Sequence, residues 1–163
     1  GTNLEKINNE VEKLQIILPV GSTISANDIE ENIGFSKDYN IFELRKAIGE
    51  KNQLKSYKIA QYFSENPKDH PLVMTTGMLF SFFVQLLQYH GLKNKNPNNV
   101  AAILKVNPFF LKDYDVALRN YPMKKVSKIV TLLREIDVKS KGVGANALPQ
   151  HELLKEMLVG IFN

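Results

Sequence analysis

The sequence contains neither cysteine nor tryptophan among its 163 residues. Without thiols, the chain has no disulfide bonds, no thiolate metal ligands and no cysteine nucleophile. Chains without disulfides are typical of the reducing cytoplasm, which is where we expect this protein to act.

The sequence also lacks the motifs of nucleotide-binding and catalytic sites. None of its nine glycines is followed by lysine, so the Gly-Lys step of a phosphate-binding loop is missing. His151-Glu152 starts like a zinc-protease helix, but Lys155 stands where the second histidine is required. His70 and His90 are distant in sequence, and no serine lies in a nucleophile elbow. We therefore expect no catalytic site, no cofactor and no metal ion.

Long apolar runs are missing as well. The most apolar stretch, Met78 to Leu87, is interrupted by Ser81 and Gln85 and falls short of the roughly 20 residues that cross a bilayer. No signal peptide is recognisable, and we expect no association with membranes. With 44% hydrophobic and 23% charged residues, the composition indicates a globular protein with one main domain and at most a small appendage.

Helical periodicity runs along nearly the whole sequence. Apolar residues recur at spacings of three and four, and helix starts are marked by Asn40 and by the pair Asn107-Pro108. The segment from His70 to Tyr89 is apolar around most of its circumference, which favours a central position in a bundle. No segment has the pattern of a strand, so the predicted fold class is all-α, a helical bundle. Among the predicted helices are those over residues 2–18, from Ser25 or Asn27 to Gly34, 70–89, 98–104, 107–121 and 150–162.

Residues 98–121 form two predicted helices joined by a tight turn, and they have two interpretations. The first is a helix-turn-helix DNA-binding regulator whose second helix enters the major groove. That helix begins Asn-Pro-Phe-Phe-Leu, and these bulky apolar side chains lack the polar groups that read base edges. Packing of the two helices within a bundle explains the pattern better, and the regulator is the alternative.

The same region resembles the C-terminal collar of the bacterial DNA polymerase III delta subunit, a clamp-loader protein. The run DYNIFELRKAIGEKN, from Asp38 to Asn52, also resembles the first collar helix of that family. The shared features of the first region, in chain order, are Ala101, Pro108-Phe109, Ala117 near Arg119, Leu132-Leu133, Asp137 and Lys141-Gly142.

A third stretch resembles the end of the lid-like second domain of the same family. It carries Glu10-Val11-Glu12-Lys13-Leu14 and, further on, Ile24-Ser25. From the resemblance we expect residues 1–35 to be the C-terminal part of the lid-like domain and residues 36–163 to be the helical collar, an oligomerisation domain. Because the sequence starts Gly-Thr-Asn-Leu rather than with Met, we expect it to be a fragment of a longer protein.

The resemblance implies a function in DNA replication. The chain would assemble the clamp loader through collar contacts with the gamma/tau and delta prime subunits, and the complex would load the sliding clamp onto primed DNA. The clamp itself would be contacted by an N-terminal domain that this sequence does not include, and DNA only indirectly. The family is part of the DNA polymerase III holoenzyme, a nucleotidyltransferase, but the fragment itself is not expected to be an enzyme.

Two sets of residues are candidates for contacts with partners. Apolar side chains of the 70–90 and 107–121 helices would form the subunit interface: Phe80, Phe83, Phe109, Phe110 and Tyr114. Lysines of the 123–141 region would face DNA phosphates, although a net charge of +4 and the lack of interleaved aromatic residues favour an ordinary solvated surface: Lys124, Lys125, Lys128, Lys139 and Lys141.

Asp137 is placed unusually for a carboxylate. It lies near the predicted C-terminus of its helix, where a negative charge opposes the helix dipole. We therefore expect Asp137 to pair with Lys139 or Lys141 or to cap a neighbouring amide.

Overall fold

The computed structural model describes residues 4–25, 28, 39–142 and 148–163. All regular secondary structure in these residues is helical, which confirms the all-α prediction. A 3-10 turn, Pro108–Phe110, accompanies the α-helices. The α-helices of the described residues are α1 Leu4–Ile17, α2 Ile41–Gly49, α3 Gln53–Glu65, α4 Leu72–Gly91, α5 Pro97–Leu104, α6 Leu111–Asn120, α7 Met123–Ser140 and α8 Gln150–Phe162.

The chain forms two compact units, Gly1–Asp38 and Tyr39–Asn163. In the first unit, α1 corresponds to the predicted 2–18 helix, and its Leu14 is buried. The assignment of residues 1–35 to a lid-like domain stays a prediction.

Ser25 and Asp28 form a reciprocal cap in the first unit, as expected for the start of a helix at Ser25. The Ser25 hydroxyl oxygen accepts from the amide of Asp28 at 3.2 Å, and the Asp28 carboxylate accepts from the amide of Ser25 at 2.8 Å. Hydrogen bonds from Ser25 lower the pKa of Asp28. The remainder of the predicted helix to Gly34 lies outside the described residues.

In the second unit, α4 lies at the centre, as its all-round apolar sequence predicted. It packs against α2, α5, α6 and α7, and its contact with α7 is the most extensive in the unit. The buried hydroxyls of Thr75 and Thr76 donate to the carbonyls of Pro71 at 3.4 Å and Leu72 at 2.9 Å. These polar groups are therefore satisfied by the backbone of their own helix and its cap. The stripe that α7 buries is Val126, Ile129, Leu133 and Ile136.

The helix α4 is also long and apolar enough to cross a membrane, judged by length and composition alone within the described residues. The prediction that no stretch reaches that length is wrong, because the helix continues without a break through Ser81 and Gln85. Ser81 donates to the carbonyl of Gly77 at 3.0 Å, so its hydroxyl does not interrupt the helix. Burial against α7 and the other helices explains why this segment is so apolar.

The predicted second helix of residues 107–121 consists of two elements. Asn107 caps the segment by accepting from the amide of Phe109 at 2.9 Å, as predicted. A 3-10 turn follows before α6 begins at Leu111, so the prediction of one continuous α-helix is wrong in its first turn. Such tightening is common where a helix starts, since it satisfies free amides locally; here Phe110 donates to the carbonyl of Asn107 at 2.9 Å.

Gln150, the first residue of α8, fixes the start of α4. The residue that precedes α4 is Pro71, which has no side-chain acceptor for the free amides of the first turn. Gln150 Oε1 accepts from the amide of Leu72 at 3.0 Å. Its Nε2 donates to the carbonyls of Phe63 at 3.1 Å and His70 at 2.9 Å. One side chain thus joins the C-terminal helix to the end of α3 and the start of α4.

Replacing Gln150 by alanine should lower the free energy of unfolding by about 1–3 kcal/mol, because three partly buried backbone groups lose their partner. The adjacent His151→Ala is a matched control, since that side chain is 64% exposed, and it should change stability by no more than about 0.5 kcal/mol. Urea denaturation measures both values. Equal stability of the two variants would show that Gln150 does not hold the bundle together.

Candidate subunit-interface surface

An open groove runs between α2 and α4 in the second unit, with a volume of about 490 Å³. Its lining is mostly apolar, and Arg45 is the one charged residue of that lining. We call it the Arg45 groove. It is lined by Phe42, Arg45, Val73, Met74, Gly77, Met78, Ser81, Phe82, Gln85, Val106 and Tyr114.

The side of α4 that borders this groove is not covered by other helices of the second unit. Val73 and Met74 are exposed, Met78 is half-buried, and Phe80 on the adjoining side is 38% exposed. We call these four residues the open face of α4. Clustered apolar side chains of this kind, exposed in a single chain, typically mark a contact with another protein.

A hydrogen-bonded network fixes the floor of the Arg45 groove. The Tyr114 hydroxyl donates to Gln85 Oε1 at 2.6 Å, and Gln85 Nε2 donates to the carbonyl of Leu104 at 2.9 Å. The rings of Phe82 and Tyr114 pack with their centroids 5.0 Å apart. Burial raises the pKa of Tyr114, so its hydroxyl remains protonated and available as a donor at neutral pH. These contacts hold α4, α5 and α6 together beneath the groove, which is therefore rigid before any partner arrives.

Arg45 has an unusual environment for a charged side chain. Its guanidinium carbon lies 5.5–5.8 Å from the centroids of four aromatic rings, those of Phe42, Phe82, Phe110 and Tyr114. These cation–π contacts stabilise the charge, but they accept no N–H hydrogen bond in the plane of the guanidinium. Within the described part of the chain, Arg45 Nε is buried without a hydrogen-bond partner, and Arg45 belongs to no ion pair.

The residues predicted for the interface fall into two groups. Phe80, Phe109 and Phe110 are 38%, 84% and 41% exposed, so they are accessible, and their part in an interface stays a prediction. Phe83 and Tyr114 are not accessible: both are buried in the core of the unit itself. Phe83 packs edge-on against Tyr121, and Tyr114 packs against Phe82, so their expected exposure is wrong.

Sequence reasoning missed Phe42, Arg45, Val73 and Met74 as members of this surface. Helical spacing groups Phe42 with the apolar residues of its helix, yet it is 55% exposed. Arg45 carries one signal that the sequence does show, since it is a charge within the largely apolar run Ile41–Gly49. Its meaning depends on rings from α4, α6 and the 3-10 turn, which no local pattern reveals.

The predicted basic patch divides into two parts at opposite ends of α7. Lys124, Lys125 and Lys128 lie in its first turns, about 20 Å from Lys139 and Lys141 at its other end. Lys139 pairs with Glu156, and Lys141 pairs with Asp137 at 2.6 Å. The structure therefore does not bring the five lysines together.

The first part of this patch includes a partly buried lysine. Lys125 Nζ donates to the carbonyl of Gly160 at 3.1 Å. Its pKa is lowered by burial and by the charges of Lys128 and Lys51. Lysines that are partly buried and repel one another offer a weaker phosphate site than freely exposed ones.

The ion pair between Asp137 and Lys141 is one of the two pairings predicted for this carboxylate. Because the pair is exposed, it contributes little to stability.

The histidines lie in three separate environments. His70 stacks on Phe63, with ring centroids 4.1 Å apart, while the ring of His90 bonds through Nε2 to the carbonyl of Tyr121 at 2.8 Å. His151 is exposed on α8. No three histidine, aspartate or glutamate side chains of the described residues are grouped as metal ligands.

Comparison with known proteins gives two findings. The sequence model of a family described as the DNA polymerase III delta subunit, C-terminal domain, matches residues 38–158. The solved structure of the Bacillus subtilis DNA clamp loader delta protein is similar in fold, with a TM-score of 0.61 and 22% sequence identity. That alignment covers 98% of this chain and 46% of the Bacillus protein, so the chain spans about half the length of that relative. No curated protein sequence matches the chain.

Proposed function

The chain belongs to the family defined by the C-terminal domain of the DNA polymerase III delta subunit, and from that premise we propose that its helical collar joins a clamp-loader complex through helix-to-helix contacts. In this role Tyr39–Asn163 is an oligomerisation unit without a catalytic group of its own. The partners are the gamma/tau and delta prime subunits, in the bacterial cytoplasm. The complex loads a sliding clamp onto primed DNA, and the contact with the clamp is made by a part of the delta subunit outside this chain.

The observation that supports this assignment most directly is the open face of α4 beside the Arg45 groove. Four apolar side chains of a central helix face outward there, next to exposed Phe42 and Phe110. Aromatic residues, methionine and arginine are the types enriched at the centres of protein interfaces. Since the floor of the groove is already fixed by hydrogen bonds, a partner would bind it with little loss of side-chain entropy.

The helix-turn-helix regulator is not favoured. The family match extends through residues 98–121 and accounts for them as part of a collar. The position where a recognition helix would begin is a 3-10 turn that presents Phe109, which is 84% exposed, rather than a group that reads bases.

Replacing Met74 by alanine should weaken assembly with the gamma/tau and delta prime subunits about tenfold or more, because an exposed anchor of the open face is truncated. Affinity can be measured by titrating labelled subunits of the same organism with the intact protein that carries this chain. Met123→Ala is the matched control, since Met123 is 52% exposed, against 69% for Met74, and does not line the Arg45 groove. The control should bind as wild type does.

Two results would contradict the assembly role in different ways. If the wild-type protein fails to associate with these subunits, the chain is not a clamp-loader collar. If association is normal but Met74→Ala and Met123→Ala bind equally well, the collar uses another surface.

The isolated chain should bind duplex DNA weakly, without sequence preference, and lose that binding as salt is raised, because only scattered lysines face solvent. A mobility-shift assay with a random pool and with single duplexes measures this. Selective binding more than about a thousandfold tighter than to random duplexes would instead support the regulator.

A further inference from the structure

We propose that the Arg45 groove receives an apolar helix of a neighbouring clamp-loader subunit, and that an aspartate or glutamate on this helix pairs with the Arg45 guanidinium. This inference rests on the proposed assembly role and identifies the chemistry of its contact. It assigns to Arg45 a partner outside the chain, which no residue of the groove lining supplies.

The first argument is the state of the guanidinium itself. Arg45 is held by four aromatic rings, and its Nε is buried without a hydrogen-bond partner among the described residues. A partner that covered the groove with apolar groups alone would also remove the water around the remaining N–H groups. Stripping an arginine in this way is costly unless a carboxylate takes the place of the water. A carboxylate bonds two N–H groups at once and restores the loss.

The second argument is the shape and polarity of the walls. The groove lies between two helices, α2 and α4, and its rim carries Phe42, Val73 and Met74, all exposed. An amphipathic helix seats its apolar side chains in such a groove. The carboxylate is therefore expected within an apolar stripe of the partner helix, and not on a polar loop.

A nucleic-acid phosphate fits this groove poorly. Sites for phosphate backbones combine several lysines or arginines with polar groups. Here one arginine lies among apolar side chains, and Ser81 and Gln85 are the only polar uncharged residues of the lining apart from Tyr114. Gln85 and the Tyr114 hydroxyl are already engaged with each other.

A second copy of this chain is also a poor occupant. A two-fold dimer through the groove would set the same surface against itself. Two arginines would then face each other, and the lining contains no aspartate or glutamate to separate them. Charge complementarity thus favours a different protein of the complex, one that carries the acid.

Arg45→Met tests the pair because methionine keeps much of the apolar contact with the rings but removes the charge. In the intact protein, titrated with the gamma/tau and delta prime subunits, it should weaken assembly at least about 30-fold, since the partner's carboxylate is left without its counterion. Arg45→Lys should bind with intermediate affinity, because an ammonium keeps the charge but not the two-pronged bond. Lys46→Met, an exposed neighbour on α2, is the control and should bind as wild type does.

A double-mutant cycle identifies the acid and separates pairing from a general effect on the fold. Each aspartate and glutamate of the partners' C-terminal helices is changed to alanine in turn, and each variant is titrated with the wild-type protein and with the Arg45→Met variant. One of these changes should weaken assembly strongly with the wild-type protein and by less than about threefold with Arg45→Met. The thermal midpoint of each Arg45 variant, measured without partners, corrects for any loss of folding.

Three outcomes overturn the inference and are distinguishable. Normal assembly by Arg45→Met, while Met74→Ala assembles poorly, shows that the open face is used without an ion pair. Additive effects of every acid with Arg45→Met show that no carboxylate is coupled to it. Weakened binding of primed DNA by Arg45→Met, with unchanged assembly, shows that the occupant is a phosphate. Failure of the wild-type protein to assemble at all instead refutes the proposed function.

Discussion

Burial of α4 is the constraint on which the second unit depends. A 20-residue helix that is apolar on nearly every side is stable in water only where other helices cover it. α7 covers its longest side, and α2, α5 and α6 cover others. Gln150 completes the arrangement by holding the first turn of α4 from the opposite end of the sequence. The remaining apolar side, from Val73 to Phe80, has no cover within the unit.

This uncovered side gives the bundle its suitability for assembly. Exposed apolar area of a central helix is a standing cost to a lone chain and a source of affinity once a partner covers it. Arg45 makes the same surface selective. A guanidinium ringed by aromatic groups tolerates water well but disfavours any apolar partner that does not bring an acceptor. Affinity and specificity would thus come from adjacent residues of one groove.

Much of this fold follows from the sequence. Asparagine caps and three-to-four spacing predicted the helices, and the all-round apolar pattern placed α4 at the centre. The site was harder to predict. Spacing shows which residues share a face of a helix, but the choice of covered face is made by packing between helices, which is why Phe83 and Tyr114 were wrongly expected at the surface. Arg45 was missed because three of its four rings come from other elements, which meet α2 only in the folded bundle.

The most direct test of this account is the rate of methionine oxidation by dilute peroxide, followed by mass spectrometry, in the free protein and in the assembled clamp loader. Accessible thioethers oxidise and covered ones are protected. In the free protein Met74 and Met123 should both react, as they are 69% and 52% exposed. In the complex the account predicts that oxidation of Met74 slows several-fold while that of Met123 is unchanged. Equal reactivity of Met74 in the free and assembled protein would contradict it.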